Sequence, residues 1–558
     1  MSQYSVISEE KVSNKTKDKT VNIVLHTIKE GKQVLIFNNS KSRSEATAEK
    51  ISDAILRPDN AVELRVLADK ILKSLQSPTK QCKRLARIIA KGVAFHHSGL
   101  TSKQRSLIEN SFREGLIKAI SSTPTLAAGL NLPAYKVIIN DYKRYSSRGF
   151  NDIPVLEFHQ MSGRAGRPGK EDIGKAVLMV KSEDEMARVI PKYVFGEAEE
   201  IISKLAVEPT LKMYMLSLVA MDMINTTEEI KSFFANTLYA HQYKDLEALN
   251  FNIFKILNVL KDYNFITQED EYYMATQLGK KISELYLNPD TANYFLEHIE
   301  KFFERFATDN VSKYDIYSLI YFIADTVEMK PLFTVKKIEE EKYVKKAEEI
   351  VDTLVVEFDP FESDYSDFMK CLKAADIMSD WIDEAPEDYI SDKYNVTPGE
   401  LHYKLEVMDW LIYCIEELTL LKKNFYFKNY LNKLRIRFKM GVRQELIALI
   451  SLKGIGRVRA RNLFKAGFKK INDLKKADFA QISRVLGDAM TIKIKEQLKD
   501  ESKYESEESL NVANNESSKP KEIKVREVTD VEVEDILESV NTYEREKSEG
   551  NRDLNDFF

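Results

Sequence analysis

The chain has 558 residues, 43% hydrophobic and 31% charged, with a formal net charge of −5. Single hydrophobic cores stop growing at about 250–300 residues, so one domain is excluded and several are expected. No run of about 18 uninterrupted apolar residues is present, and the polar start "MSQYSVISEEKVSNKTKDKT" lacks a signal peptide's apolar stretch, which argues against a membrane span or export and for a soluble, cytoplasmic protein.

Residues 1–19 read as a linker. From 20 to 195, short apolar runs alternate with amphipathic segments: "QVLIF" (Gln33–Phe37), "GVAFHH" (Gly92–His97), "KAISS" (Lys118–Ser122), "KVIIN" (Lys136–Asn140) and "AVLMV" (Ala176–Val180). That alternation predicts a parallel α/β sheet. Between the last two runs, "VIINDYKRYSSRGFNDIPVLEFH" reads as two strands flanking a polar tip at about Ser146–Asp152, which is a hairpin. The pair His96 and His97 has no third ligand nearby and reads as a loop after a strand rather than a metal site.

"FHQMSGRAGRPG" (Phe158–Gly169) sets Arg164 and Arg167 three residues apart in a glycine-rich turn. Two guanidinium forks on a tight backbone suit the oxygens of a triphosphate. Yet the 558 residues contain no Gly-x-x-x-x-Gly-Lys-Ser/Thr loop to cradle phosphates. The arginines therefore point at a ligand that this chain does not hold alone.

Residues 196–283 give helices at "TLKMYMLSLVAMDMI", at "NTTEEIKSFFANTL" with a Thr226–Glu229 capping box, and at "FNIFKILNVLKDYNFI", then a short hairpin ending in "EYYMAT". That is the order of a winged helix. Residues 284–440 read as almost wholly helical. There "DEAP" (Asp383–Pro386) is rejected as a Mg²⁺-binding acidic box, because "IMSDWI" before it is an amphipathic helix rather than an apolar strand. A cationic run from Lys422 to Arg443 closes this region. Residues 441–500, containing "LKGIGRVRARNLFKAGF" (Leu452–Phe468), form a further compact domain. Residues 501–558 carry 8 Lys/Arg and 17 Asp/Glu, a net of −9, leaving the first 500 residues at +4. Few large apolar residues occur in this acidic tail, so disorder is expected. Cys82, Cys371 and Cys414 are scattered and odd in number, which argues against a disulfide framework.

"SSTPTLAAGLNLPA" (Ser121–Ala134) followed by "QMSGRAGRPG" resembles two consecutive signature motifs of superfamily 2 helicases, and the wording is closest to the archaeal Hjm-type DNA repair helicases, relatives of the helicase half of polymerase theta. The resemblance runs from about residue 20 to 500. It implies a second RecA-like domain, a winged helix, a helical ratchet domain and a helix-hairpin-helix domain. The first RecA-like domain, with its phosphate loop and Mg²⁺ ligands, is not in the sequence. In this reading Arg164 and Arg167 are fingers reaching ATP across a domain interface, and Gln160 contacts nucleotide or the partner domain. Thr123 and Thr125 meet strand phosphates, Gly129 allows close backbone approach and counts with Gln160, Arg164 and Arg167 among the nucleotide-site residues, Lys41, Ser42 and Arg43 form another strand-contacting loop, and Arg148 and Phe150 sit at the tip of a duplex-splitting hairpin. Trp410 stacks a base on the ratchet helix "TPGELHYKLEVMDWLIYC", with Tyr403 where some relatives carry arginine. "GIG" (Gly454–Gly456) with Arg457, Arg459 and Arg461 fits helix-hairpin-helix phosphate binding. The end "NRDLNDFF" places Leu554, Phe557 and Phe558 on one helical face and resembles the sliding-clamp (PCNA) box, with Asn551 where glutamine is usual.

The expected function is thus the C-terminal portion of an ATP-dependent 3′–5′ DNA helicase that unwinds forks, inactive as an ATPase by itself. A separate polypeptide supplies the missing half, or Met1 is internal to a longer reading frame. The alternatives are a non-enzymatic DNA-binding adaptor and an RNA helicase of the same superfamily. DNA rather than RNA follows from the resemblance alone.

Overall fold

The computed structural model of the protein describes residues 10–499 except 57, 76, 128, 147–148, 168, 170–172, 204, 206–207, 245, 308–310 and 357–364. It comprises two units, Met1–Ile492 and Lys493–Phe558. The first begins with α1 (Lys19–Lys29), β1 (Val34–Phe37), α2 (Lys41–Ala54), α3 (Ala61–Leu72), α4 (Lys80–Ile89), β2 (Val93–His96), α5 (Ser102–Arg113), β3 (Ala119–Ser122), β4 (Lys136–Ile139), the hairpin β5 (Lys143–Ser146) and β6 (Gly149–Asp152), α6 (Val155–Ser162), β7 (Lys175–Leu178) and α7 (Glu183–Tyr193). Five strands form one sheet in the order β2-β3-β1-β4-β7, every pairing parallel. β1 to β4 are buried along their whole length. Burial on both faces is why they read as continuous apolar runs rather than alternating ones.

Beyond the C-terminal ends of β1 and β4 the side chains turn polar, yet they are paired, with Asn38 buried and Asn140 half-buried. Asn38 donates to Ser121 Oγ at 2.9 Å and accepts from Asn140 at 2.9 Å, while Thr20 donates to Asn140 at 2.7 Å. This network ties α1, β1, β3 and the end of β4 together below the loop that follows β3. Lys41, Ser42 and Arg43 are not a loop, as the sequence suggested. They form the first turn of α2, because the Ser40 hydroxyl accepts from Arg43 N and caps the helix.

The winged-helix region holds α8 (Glu208–Ala220), α9 (Thr227–Ala235), α10 (Leu238–Tyr243), α11 (Leu246–Asp262), β8 (Ile266–Glu269), β9 (Tyr272–Ala275) and α12 (Gln277–Glu284). The Thr226–Glu229 capping box is present, and α10 is an added short helix. Helices α13 (Pro289–Arg305), α14 (Lys313–Ala324), α15 (Lys337–Ile350), α16 (Tyr365–Ile382), α17 (Glu387–Tyr394), α18 (Pro398–Leu421) and α19 (Phe425–Met440) follow. One apolar cluster runs without a break from Leu211 to Phe438, so winged helix and helical region share a core. The chain continues through α20 (Ile447–Ile450), α21 (Arg457–Lys465), α22 (Ile471–Lys476), α23 (Phe479–Leu486) and α24 (Asp488–Lys499).

The start of α18 is seated on the α/β domain. Gly399 N donates to Gly99 O at 2.9 Å, Lys41 Nζ meets Glu400 at 2.6 Å, and Lys80 reaches Asp388 at 2.8 Å and Asp392 at 2.7 Å. A Cβ on Gly399 would lie 2.3 Å from Ser98 O and 2.5 Å from Leu100 O. Gly399→Ala must therefore part the two backbones, and denaturant unfolding should show a loss of about 1–3 kcal/mol, the usual cost of overpacking. Burial pushes the Glu400 carboxyl up, but hydrogen bonds from Lys41 and Thr397 outweigh it and hold it below its ordinary 4.5. A lowered carboxyl contributes stability above its unfolded pKa and loses it as pH falls through the folded value, so this seat should loosen on acidification below about pH 4.5.

Candidate functional site

α6 leads into the arginine turn, and hydrogen bonds fix that turn to the chain after β3. Ala134 N donates to Arg164 O at 2.9 Å, and Gly166 N donates back to Ala134 O at 2.7 Å. Gly166 adopts φ +98°, and a Cβ on Gly174 would lie 2.3 Å from Gly166 N, so only glycine lets the approach to β7 lie against the turn. The Arg164 guanidinium donates through Nε (2.9 Å) and Nη2 to Ala127 O, in the loop "TPTLAAGLNLP". Arg167 Nη1 donates to Gln33 Oε1, whose own amide donates to Phe112 O and Ile117 O at 2.7 Å each. The two forks expected to act as a pair are thus held on separate partners, an outcome no local spacing reveals. Gln160 is exposed on α6, one turn before Arg164.

In the same loop Thr123 is buried and Thr125 exposed, their hydroxyl oxygens 2.9 Å apart, so the two share one hydrogen bond. Gly129 is exposed with φ +74° and open space where a Cβ would stand. Its glycine answers to left-handed backbone rather than to close packing within the chain. Arg43 is exposed and pairs with Asp141 at 2.8 Å. His96 meets Glu109 at 2.9 Å and His97 meets Glu45 at 3.2 Å, which gives both rings structural partners. Among the described residues Glu10, His26 and Glu30 bring ligand atoms together, but Glu10 is already paired with Lys175 at 2.8 Å and Lys136 at 3.5 Å.

β5 and β6 pair antiparallel, Ser146 opposite Gly149 and Lys143 opposite Asp152, as the hairpin reading required. Arg148 and the side chain of Phe150 lie outside the described residues, as do Leu554, Phe557 and Phe558.

On α18, Tyr403, Glu406, Val407 and Trp410 fall at helical spacing on one face, a register legible in the sequence. Tyr403 is 56% exposed. It lines a cleft with Ser102, Lys103 and Arg105 of α5. Trp410 is half-buried against the helical core, its Nε1 donating to Leu285 O at 3.3 Å. On the base-stacking role that the family resemblance implies, Trp410→Ala would weaken single-strand binding by about 1–3 kcal/mol, as read by fluorescence anisotropy.

The arginine trio after "GIG" is not presented on one exposed face. Arg457 is buried, its guanidinium 4.9 Å above the Trp381 ring, and burial lowers its pKa. Arg461 forms an ion pair with Glu384 and another with Glu445 at 2.8 Å. Both guanidiniums are engaged within the chain. They fasten the helix-hairpin-helix segment to α16 and its following turn, and only Arg459 is exposed, bonded to Gly454 O at 2.8 Å. Trp381 and Glu384 were missed: "DEAP" supplies an anchor for Arg461, with Glu384 at φ +71°. The cationic run is likewise partly spent, since Arg435 holds Asp409 and Glu416, and Lys422 holds Glu300.

A five-stranded parallel sheet with a Gln–Arg turn, followed by winged helix, helical and helix-hairpin-helix segments, defines the second motor domain and accessory domains of a superfamily 2 helicase. Residues 16–169 match the helicase conserved C-terminal domain, 174–267 a helix-turn-helix domain, 317–441 archaeal helicase domain 4, and 446–500 a SAM-like helix-hairpin-helix tandem. The chain is similar to the ATP-dependent DNA helicases Hel308 of Methanococcus vannielii (34% identity, 83% of this chain, 65% of the relative), Methanocella arvoryzae (35%, 87%, 65%) and Pyrococcus abyssi (37%, 83%, 63%). Its similarity is thus to archaeal Hel308-type helicases, and it spans just under two thirds of the length of these relatives.

Proposed function

We propose that this chain is the strand-tracking and DNA-binding portion of an ATP-dependent 3′–5′ DNA helicase that unwinds forked DNA in repair or replication restart. The observation that carries the reading is the junction of its two motifs: the arginine turn and the "TPTLAAGLNLP" loop are joined through Ala134 and through the Arg164 guanidinium on Ala127 O. A movement of one is delivered to the other. Residues 20–195 are proposed as the second RecA-like domain, 196–283 as winged helix, 284–440 as ratchet domain and 441–500 as helix-hairpin-helix domain, in a cytoplasmic protein.

Guanidiniums resting on a carbonyl and an amide oxygen have the chemistry that phosphate oxygens require, so Arg164, Arg167 and the exposed Gln160 fit one wall of a nucleotide site. The 558 residues hold no phosphate loop for the other wall. ATP with Mg²⁺ would supply the phosphoryl group whose transfer drives the cycle. This chain's residues would bind and neutralise charge on that group's oxygens, while Thr123, Thr125, Lys41, Arg43, Tyr403, Trp410 and Arg459 engage the strand. The proposed partners are single-stranded and forked DNA, a polypeptide segment carrying the first RecA-like domain, and a sliding clamp at residues 551–558. The purified chain should show no DNA-stimulated ATPase until that first domain is supplied; robust hydrolysis by the chain alone overturns the proposal. Its DNA affinity should fall steeply with salt as phosphate contacts release counterions.

A further inference from the structure

We infer that α7 sets the direction of the β5–β6 hairpin, with Arg188 and Lys192 as positioning residues that grip Asp152 at its base. The inference rests on the helicase reading above. Asp152 closes β6, and Arg188 Nη1 and Lys192 Nζ donate to the same Oδ2, at 2.8 and 3.0 Å. Across the hairpin base, Arg188 Nη2 donates to the Tyr142 hydroxyl at 3.0 Å, and that hydroxyl donates to Glu185. The base is closed by Ile153 N donating to Tyr142 O at 2.8 Å, and Ile153 O accepts from the Tyr193 hydroxyl at 2.9 Å. Glu185, Arg188, Lys192 and Tyr193 lie on one face of α7, so a single helix holds both strands of the hairpin at its root.

The hairpin continues through Ile153 and Pro154 into α6, which ends at the arginine turn. α6 is held by the same neighbours. Phe158 stacks on Tyr193 with centroids 4.8 Å apart, and the Glu199 carboxylate accepts from Val155 N at 2.7 Å and Leu156 N at 2.9 Å. Pro154 at the N-cap offers no side-chain cap, so a carboxylate from beyond α7 satisfies those donors. Hairpin and arginine turn thus occupy opposite ends of one short helix, and α7 with the segment behind it fixes the tilt between them. In the proposed fork-unwinding motor the grip would hold the hairpin toward the duplex junction; without it the hairpin would still form, but would point variably.

The test uses forked DNA carrying 2-aminopurine at the first paired position, whose fluorescence rises when that pair unstacks, alongside the same single strand without a duplex. Arg188→Gln with Lys192→Gln should cut the junction signal roughly tenfold, less than the ~10²-fold that a misplacement of about 1 Å can cost. Single-strand affinity and the circular-dichroism spectrum should not change. Arg188→Lys with Lys192 intact keeps two cations on Asp152 and should retain the signal. An undiminished signal in the folded double variant overturns the grip, as does a wild-type chain that binds single strand yet leaves the junction stacked. If the wild-type chain binds neither DNA, the helicase reading itself fails, which the single-strand arm reports separately.

Discussion

Arg164→Ala is expected to lower DNA-stimulated ATP turnover by ~10³–10⁵ in the motor completed with a first RecA-like domain, the range for loss of an arginine finger. Transferring a phosphoryl group spreads negative charge over its oxygens, and a planar fork placed there acts in the transition state rather than on ground-state binding. The loss should therefore fall on kcat, with KM for ATP little changed. Arg164→Lys should not rescue, because a point charge cannot reproduce a two-pronged contact such as Arg164 makes with Ala127 O. That contact adds a second expectation. In the proposed nucleotide site the guanidinium would leave Ala127 or carry the loop with it on turning to nucleotide, so the variant should also blunt the change in single-strand affinity between nucleotide states. Steady-state ATPase with and without single strand is the measurement, and retention of a tenth or more of wild-type kcat overturns the assignment.

Trp381→Ala should destabilise the protein by about 3–5 kcal/mol, the cost of truncating a large buried aromatic. The ring is nearly enclosed: its Nε1 donates to Phe438 O at 2.7 Å, the Arg457 guanidinium lies 4.9 Å from its centroid, and His402 packs edge-on at 5.8 Å. Gly441, at φ +63° at the end of α19, leaves no room for a Cβ, which would stand 2.8 Å from the indole and 2.9 Å from Arg457 Nη1. That Nη1 has no hydrogen-bond partner among the described residues. The ring face is accordingly what accommodates a cation drawn out of water, and removing it exposes both losses together. Replacing Arg457 by methionine in the Trp381→Ala background should recover part of the stability, since an apolar chain of similar reach needs no partner. Urea unfolding of the single and double variants measures this, and strict additivity would refute the coupling.

Most of the sheet was legible because β1 to β4 are buried on both faces, so "VLIF", "VAFH", "AISS" and "KVII" stand out as short runs between helical segments. Motif wording located the arginine turn for the same local reason. What was not legible depends on residues far along the chain. Whether Arg164 and Arg167 converge is decided by Ala127 and Gln33, and the guanidiniums of Arg457 and Arg461 are taken up by Trp381 and Glu384, far earlier in the chain. Lys41–Arg43 form a helix turn through Ser40, a capping residue that the sequence carries.

The Glu199 carboxylate on the first turn of α6 also bears on modularity. A boundary at residue 195 keeps every strand of the parallel sheet and looks like a clean place to sever or exchange a motor domain. Such a cut would take away the only described side chain that caps Val155 and Leu156. The frayed end would be that of the helix feeding the arginine turn. A transplanted cassette ending there should fold with an intact sheet and fail in its arginine turn, whereas one extended through residue 199 carries its own cap and should behave as a portable unit.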